Sequence, residues 1–301
     1  MGDRSSNVIV RPHTGACGAT VTGVDLVDLD EADFAVVLEA WHVHGVVVFS
    51  GQHLDEAAQV AFSRRLGALE NTNLRERDHG ARPTTLTLAN INRRGELVSD
   101  PEHKLNQFLR GNQDWHSDSS FKRISAKASM LAALQVPELG GETEFTDLRA
   151  AYDALDEATR VRLDGLVAVH SAAYSQNQAM PAVPLRSEEE QNLPPVTQPL
   201  VRVHEPTGRR SLFIGRHARV VVGLDEAESR VLLDGLLDAA CRPPRVYTHR
   251  WRAGDAVLWD NRCMVHRGRA WDTSQARVMR RTTVAGDAPD GDTNEWAMTD
   301  R

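Results

Sequence analysis

Residues 256–268 read AVLWDNRCMVHRG, and this stretch decides the fold class. Ala256 to Trp259 form an unbroken apolar run, as in a strand buried on both faces. Asp260, Asn261 and Arg262 interrupt it, and the segment from Cys263 to Gly268 is extended again. Similar short segments recur on both sides: ASMLAALQV (128–136), ETEFT (142–146), LVAVHS (166–171), LVRVH (200–204), RSLFIG (210–215), RVYTHRW (245–251) and VMRRTTVAG (278–286). Their number and turn-rich spacing predict a mainly β core, a sandwich or barrel, decorated by helices near 147–165 and 225–240.

The amino-terminal third reads differently. Two short strands are expected within 8–24, then an amphipathic helix closed by Gly45, a buried strand in GVVVFSG (45–51) and a second helix near 55–66. Residues 71–84 read as a loop and TLTLANI (85–91) as a strand. The polar, proline-containing stretch 175–199 is too long for an ordinary connection and reads as a lid or active-site loop. No repeat or linker divides the chain. One domain over 1–301 is expected, with active-site loops near 71–110 and 175–195.

Composition bounds the partners. With 301 residues, 41% hydrophobic and 26% charged, the chain has ordinary globular composition. A mean hydropathy of -0.41 and the absence of an apolar run near the roughly 20 residues of a membrane helix predict no bilayer span. A formal charge of -7 argues against nucleic acid but permits a small anion held by local cations. Only three basic residues are lysines (Lys104, Lys122, Lys127), a bias that a GC-rich genome explains, or that reflects a need for the planar guanidinium fork. Cys17, Cys241 and Cys263 fit neither a disulfide framework nor a zinc ribbon. The start, MGDRSSNVIV, has no secretory pattern, and its short match to a Gly2 acylation signal reads as coincidence, so a reducing cytoplasm is expected.

The chemistry begins at WHSDSSF (115–121). His116 and Asp118 lie two apart, so on a strand both side chains project to one face. His266, in the 256–268 stretch, completes a set of two imidazoles and one carboxylate. Such a triad leaves adjacent positions open on an octahedral iron(II), whereas zinc more often takes three histidines or cysteines. Arg277 and Arg281 lie four apart, so on a strand they share a face, with Arg280 on the other. An inward arginine pair calls for two anionic groups nearby; ion pairs with core or rim carboxylates are the simpler alternative. Other candidates have bland explanations: His42 and His44 suit a helix carboxyl end, Trp251, Trp259 and Trp271 suit packing, and Cys263 suits a buried, non-catalytic thiol.

Five blocks, NQDWHSDSSF (112–121), GGETEFTDLRAAYDAL (140–155), LVRVHEPTGRRSLFIGRHA (200–218), AVLWDNRCMVHRGRAWD (256–272) and RVMRRTTVAGD (277–287), resemble in order the taurine and 2,4-dichlorophenoxyacetate dioxygenase family, TauD/TfdA. GATVTGVDL (18–26) and VVVFSGQ (46–52) resemble its amino-terminal region, and the likeness leans toward the dichlorophenoxyacetate branch. The resemblance implies a double-stranded β-helix (jelly-roll) core and dependence on Fe(II), 2-oxoglutarate and O2. It implies His116, Asp118 and His266 as iron ligands, and Thr143 and Arg277 as the grip on 2-oxoglutarate. Arg281, Asn112 and Arg75 would then face the primary substrate, while His217 either borders the pocket or, as the simpler reading, is a hydrogen-bonded structural histidine.

The implied reaction oxidises an aliphatic C–H of a small organic acid and releases succinate and CO2, with cleavage, desaturation or ring oxidation as later outcomes. Asp118 disfavours halogenation, since halide-binding relatives lack that carboxylate. Two substrate classes are weighed: an aryloxyalkanoate for catabolism, or a natural-product acid such as a terpenoid of the pentalenolactone type in antibiotic biosynthesis; a sulfonate or sulfate ester is a third. The rival functions are a non-catalytic, metal-dependent jelly-roll protein that binds a carboxylate, and a zinc hydrolase. A homo-oligomer is also implied.

Overall fold

The computed structural model describes residues 7–15, 17–71, 84–179, 185, 187–288 and 297–298. In chain order the first elements are β1 (Ile9–Pro12), β2 (Ala19–Thr22), α1 (Glu31–His44), β3 (Val46–Phe49), α2 (Glu56–Arg64), β4 (Leu69–Glu70), β5 (Thr85–Ala89) and α3 (Lys104–Arg110). A 3-10 turn (Gly111–Gln113) leads to β6 (Ala128–Gln135), β7 (Thr143–Asp147), α4 (Leu148–Asp153), α5 (Glu157–Leu163), β8 (Val167–His170), α6 (Ala172–Ala179) and α7 (Ser187–Asn192). Then come β9 (Val196–Pro199), β10 (Val201–His204), β11 (Arg209–Leu212), β12 (Ala218–Val221) and α8 (Glu226–Ala240). The last are β13 (Tyr247–His249), β14 (Ala256–Asp260), β15 (Met264–Gly268), β16 (Val278–Val284) and β17 (Ala297–Met298).

Nine strands make the large sheet, in the order β1-β2-β3-β14-β6-β16-β4-β17, with β5 also paired to β16. Among the described residues only β2 and β3 run parallel within it. A smaller sheet, β13-β7-β15, lies against it, and β12-β8-β9 and the hairpin β10-β11 complete the β structure. The large sheet separates two cores, because alternate residues of a strand face opposite ways. Val47 and Phe49 of β3, Met130 of β6 and Leu258 of β14 pack under α1 and α2 with Trp41 and Phe62. Val46, Val48, Leu131, Val257 and Trp259 face the smaller sheet and its Phe145. Both faces are therefore dry, which is why VVVF and AVLW show no alternation with polar residues. Each such side chain contributes about 1.5–3 kcal/mol by leaving water.

The helices begin where side-chain caps allow. Asp30 accepts from the Asp33 amide at the start of α1, and Asp225 with Glu228 forms a reciprocal capping box on α8. Helix α1 ends at Gly45, whose φ of 72° suits glycine. The cation at that end is Arg149 of α4, donating to the carbonyls of His42 and Val43. Burial pushes the His42 and His44 imidazoles down, so the histidine-to-dipole explanation gives way to Arg149.

Several expectations change. The helix expected at 147–165 is two, α4 and α5, because Asp156 starts a new cap by accepting from the Thr159 amide. The stretch 175–199 is not a plain loop: its described residues include the end of α6, then α7 and β9. Most of the expected 71–84 loop lies outside the described residues.

A buried knot of charge ties the hairpin β14–β15 to the helices. Asp260 is fully buried and accepts from His204 Nε2 at 3.0 Å and from Arg262 Nη2 at 2.6 Å. Arg149 donates to His204 Nδ1 at 3.2 Å, which fixes the tautomer, and also pairs with Asp147. Removing one member leaves its partners charged in a dry interior. Asp260→Ala should therefore cost about 3–5 kcal/mol in urea unfolding, against less than about 0.5 kcal/mol for Asp272→Ala on the surface; equal effects would remove the knot's structural role.

Candidate active site

The fold brings His116, Asp118 and His266 together, with one ligand atom of each within 4.8 Å of the others. His266 is central in β15. His116 is fastened to it by a two-way backbone bridge, His116 N–H to the His266 carbonyl at 3.0 Å and the reverse at 2.8 Å. Asp118 is not on a strand as expected. It opens a turn that passes through Ser119 at φ 55°, and the turn, not strand alternation, aims its carboxylate at the imidazoles. Buried contacts hold that turn: Ser119 Oγ and Lys122 Nζ both donate to Glu70, at 2.8 and 2.6 Å.

The donor set suits a divalent cation. His116 Nδ1 donates to the Asp114 carbonyl at 2.7 Å, leaving the Nε2 lone pair toward Asp118. Burial pushes both imidazoles down, His266 to about 4, so they are neutral ligands at pH 7. Burial works against the charged form of Asp118, yet Arg281 and the two imidazoles hold its carboxyl well below the usual range. Asp118 Oδ2 accepts from Ser129 Oγ at 2.7 Å, and Ser129 accepts from Asn261 at 2.9 Å. Asn261 Oδ1 also takes the Asp118 amide at 3.1 Å and the Trp259 indole N–H at 3.0 Å. Backbone and side chain of Asp118 are thus fixed from one residue of the β14–β15 turn.

A cavity opens beside the triad, and Thr143, Trp259, Leu131, Asn112, Arg277 and Arg281 are among the residues lining it. Arg277 and Arg281 share it as expected. Arg280 points the other way, to Gln59 Oε1 and the Leu54 carbonyl. Arg277 donates Nε to the Gly141 carbonyl at 3.1 Å and has no carboxylate within 4.0 Å among the described residues. Burial pulls its pKa down to about 10, with only Glu142 opposing. Gly141 allows the approach: φ is +70°, and a Cβ there would meet Arg277 Cδ and Nε at 3.0 Å. Trp251 Nε1 donates to Thr143 Oγ1 at 2.9 Å, which leaves the threonine's own hydrogen free for an anion. Trp251 therefore does more than pack, as does Trp271, which lies 5.3 Å from the Arg277 guanidinium carbon.

Arg281 meets the simpler expectation in part, since it is ion-paired, but its partner is Asp118 itself: Nη1 to Oδ1, 2.8 Å. Its Nε is buried with no partner among the described residues. Arg216 carried no signal of its own in the sequence, yet its Nε and Nη1 are likewise buried and without a partner among the described residues. Burial pulls its pKa down against attraction from Asp114 and Asp118, while Arg281 repels it. Its amide bonds the Trp115 carbonyl at 2.9 Å, placing it beside the ligand segment. The available signal was its place directly before His217 in GRHA. His217 is a structural histidine as expected, its Nδ1 2.7 Å from Ser175 Oγ. Cys263 is buried, and burial pushes its thiol well up, which suits an inert role. Arg75 lies outside the described residues.

His204, Asp260 and Cys263 also cluster within 4.8 Å. Arg262 and Arg149 donate into that group, so its acceptors are already used by cations.

A non-haem triad beside an anion-seeking arginine and threonine defines the class, and residues 9–283 match the family described as taurine catabolism dioxygenase TauD, TfdA family. The chain belongs to that family, on its TfdA-like side, and is a 2-oxoglutarate-dependent dioxygenase that uses Fe(II), 2-oxoglutarate and O2. It is 41% identical over 284 residues to an (S)-phenoxypropionate/alpha-ketoglutarate-dioxygenase of Sphingobium herbicidovorans, covering 92% of this chain and 95% of that one. It is 42% identical to an alpha-ketoglutarate-dependent 2,4-dichlorophenoxyacetate dioxygenase of Cupriavidus pinatubonensis, covering 88% and 94%. The solved structure of AAD-2 with Mn(II) and N-oxalylglycine superposes with a TM-score of 0.85 at 36% identity, covering 95% of this chain and all of that one.

The outer contacts of Asp118 make a prediction. Ser129→Ala removes the bond to Oδ2, and Mn(II) affinity by electron paramagnetic resonance should fall about 10–100-fold with the fold intact; unchanged affinity would show that Ser129 does not orient the ligand.

Proposed function

We propose that this chain oxidises an aryloxyalkanoic acid at the carbon bearing the ether oxygen, as one double-stranded β-helix domain working in the cytoplasm. The observation that carries this is a pair of arginines beside the triad whose buried N–H groups, Arg281 Nε and Arg216 Nε and Nη1, have no partner among the described residues; we read them as a second anion seat, with Arg277 and Thr143 left for the distal carboxylate of 2-oxoglutarate. A protein that merely bound one carboxylate would need only one such seat.

His116, Asp118 and His266 would hold Fe(II), which supplies the activation of O2 coupled to decarboxylation of 2-oxoglutarate. The protein's own contribution is placement. Arg281 and Arg216 would fix the substrate carboxylate by charge-assisted bonds, and Leu88, Leu109 and Leu131 of the cavity wall would exclude water around an apolar body. Holding the carboxylate leaves the adjacent C–H as the group presented to the metal. Insertion of one oxygen atom there gives a hemiacetal or hemiketal, which collapses to a phenol and a 2-oxo acid. The other oxygen atom leaves in succinate, with CO2. Asn112 lines the same cavity and suits a contact with the substrate body; Arg75 is retained as a further carboxylate contact.

The test is substrate-dependent succinate release by the iron-loaded protein. (S)-2-Phenoxypropanoate or 2,4-dichlorophenoxyacetate should stimulate release and liberate the phenol. Stimulation by terpenoid acids or sulfate esters alone would overturn the substrate class. Arg281→Ala should raise KM for the acid about 10–100-fold, the loss of a charge-assisted bond, while uncoupled decay of 2-oxoglutarate persists; equal loss of both would remove Arg281 from the substrate seat. A protein giving no visible charge-transfer band with Fe(II) and 2-oxoglutarate under anaerobic conditions would be a binder and not an oxygenase.

A further inference from the structure

We propose that Arg281 joins the metal ligand to the substrate seat, so that a divalent cation and a substrate carboxylate bind cooperatively through one guanidinium. The inference rests on the reading of Arg281 and Arg216 as that seat. Arg281 donates Nη1 to Asp118 Oδ1 at 2.8 Å, while its Nε is buried without a partner among the described residues. One edge of the fork is thus spent on a triad carboxylate, and another donor awaits an acceptor. A guanidinium offers five N–H donors in one rigid plane, so the two anions are read by a single body and cannot be positioned independently.

Charge gives the direction of the coupling. Arg281 is paired with Asp118, and Arg216, drawn to Asp118 and Asp114, is repelled by Arg281, so two cations already crowd the carboxylate that would hold the metal. A divalent cation would add to that repulsion, and an anion taken by the free donors of the two arginines would relieve it. An anion on the Nε side of Arg281 offsets its charge at the point of contact with Asp118, leaving more of the Oδ1 electron density for the metal. Ser129 meanwhile holds Oδ2 at 2.7 Å, so the carboxylate cannot swing away when Arg281 turns toward the substrate. Each ligand should then tighten the other by the same factor.

The experiment measures Mn(II) affinity by electron paramagnetic resonance in the full chain, with N-oxalylglycine saturating and with or without (S)-2-phenoxypropanoate. N-oxalylglycine occupies the chelating positions, so the probe cannot raise affinity simply by ligating manganese in their place. The probe should tighten Mn(II) on the order of fivefold or more in the wild type, and Mn(II) should tighten the probe by the same ratio in calorimetry. In Arg281→Gln the ratio should fall to about one. It should fall likewise in Arg281→Lys, which keeps the charge but has no fork, and circular dichroism shows whether both variants are folded. Full coupling in either folded variant, or a ratio of one in the wild type with the probe bound, would overturn the link. Failure of the probe to bind the Mn(II)-saturated protein would overturn the substrate reading, and the link with it.

Discussion

Asp118 is a carboxylate held charged in the interior, its side chain only 6% exposed, and much of the structure answers that one constraint. An isolated charge there would be protonated or would unfold its surroundings. Three kinds of group prevent this. Arg281 supplies opposite charge, Ser129, itself held by Asn261, supplies an oriented hydrogen bond, and the neutral imidazoles of His116 and His266 leave room for a cation between them. Each comes from a different place in the chain, so folding itself assembles the ligand set. The two-way backbone bridge between His116 and His266 sets the spacing before any metal chemistry enters.

The scaffold is rigid where this matters. Strands β6, β14 and β16 pair side by side, and their buried faces leave side chains little freedom to repack. Beyond the triad, the Asp260–His204–Arg149 knot anchors the β14–β15 turn that carries Asn261, and the Glu70–Lys122 pair anchors the turn that carries Asp118. Two buried ion-paired groups far apart in sequence thus converge on one carboxylate. The proposed anion recognition is divided between two pairs: Arg277 with Thr143, and Arg281 with Arg216.

How far this was legible in the sequence depended on whether local periodicity carried the information. The hairpin 256–268 is legible because both its faces are buried, so apolar residues run without a break. Arg277, Arg280 and Arg281 sort correctly because strand alternation decides their faces; Arg277 precedes β16 by one residue and still lines the cavity. The Asp118 turn is not legible, since H-x-D spacing looks alike on a strand and before a turn, and only Ser119 in the left-handed region distinguishes them. Arg216 is illegible for a further reason: its significance is the lack of a partner, which is a property of the folded interior. The indole N–H of Trp251 on Thr143 belongs to the same category. The triad was readable from its residue types; the proposed grip of Thr143 and Arg277 on 2-oxoglutarate and of Arg281 on substrate came from the family resemblance, and the orphaned donors add Arg216 to that second proposal.

The central claim is that a substrate carboxylate sits between Arg281 and Arg216 beside a metal held by His116, Asp118 and His266. A crystal structure with Mn(II), N-oxalylglycine and (S)-2-phenoxypropanoate tests it directly. Manganese is expected on His116, Asp118 and His266, N-oxalylglycine on Thr143 and Arg277, and the propanoate carboxylate on Arg281 Nε with Arg216 within hydrogen-bond reach. Manganese at His204, Asp260 and Cys263, or a propanoate carboxylate bound away from both arginines, would contradict it.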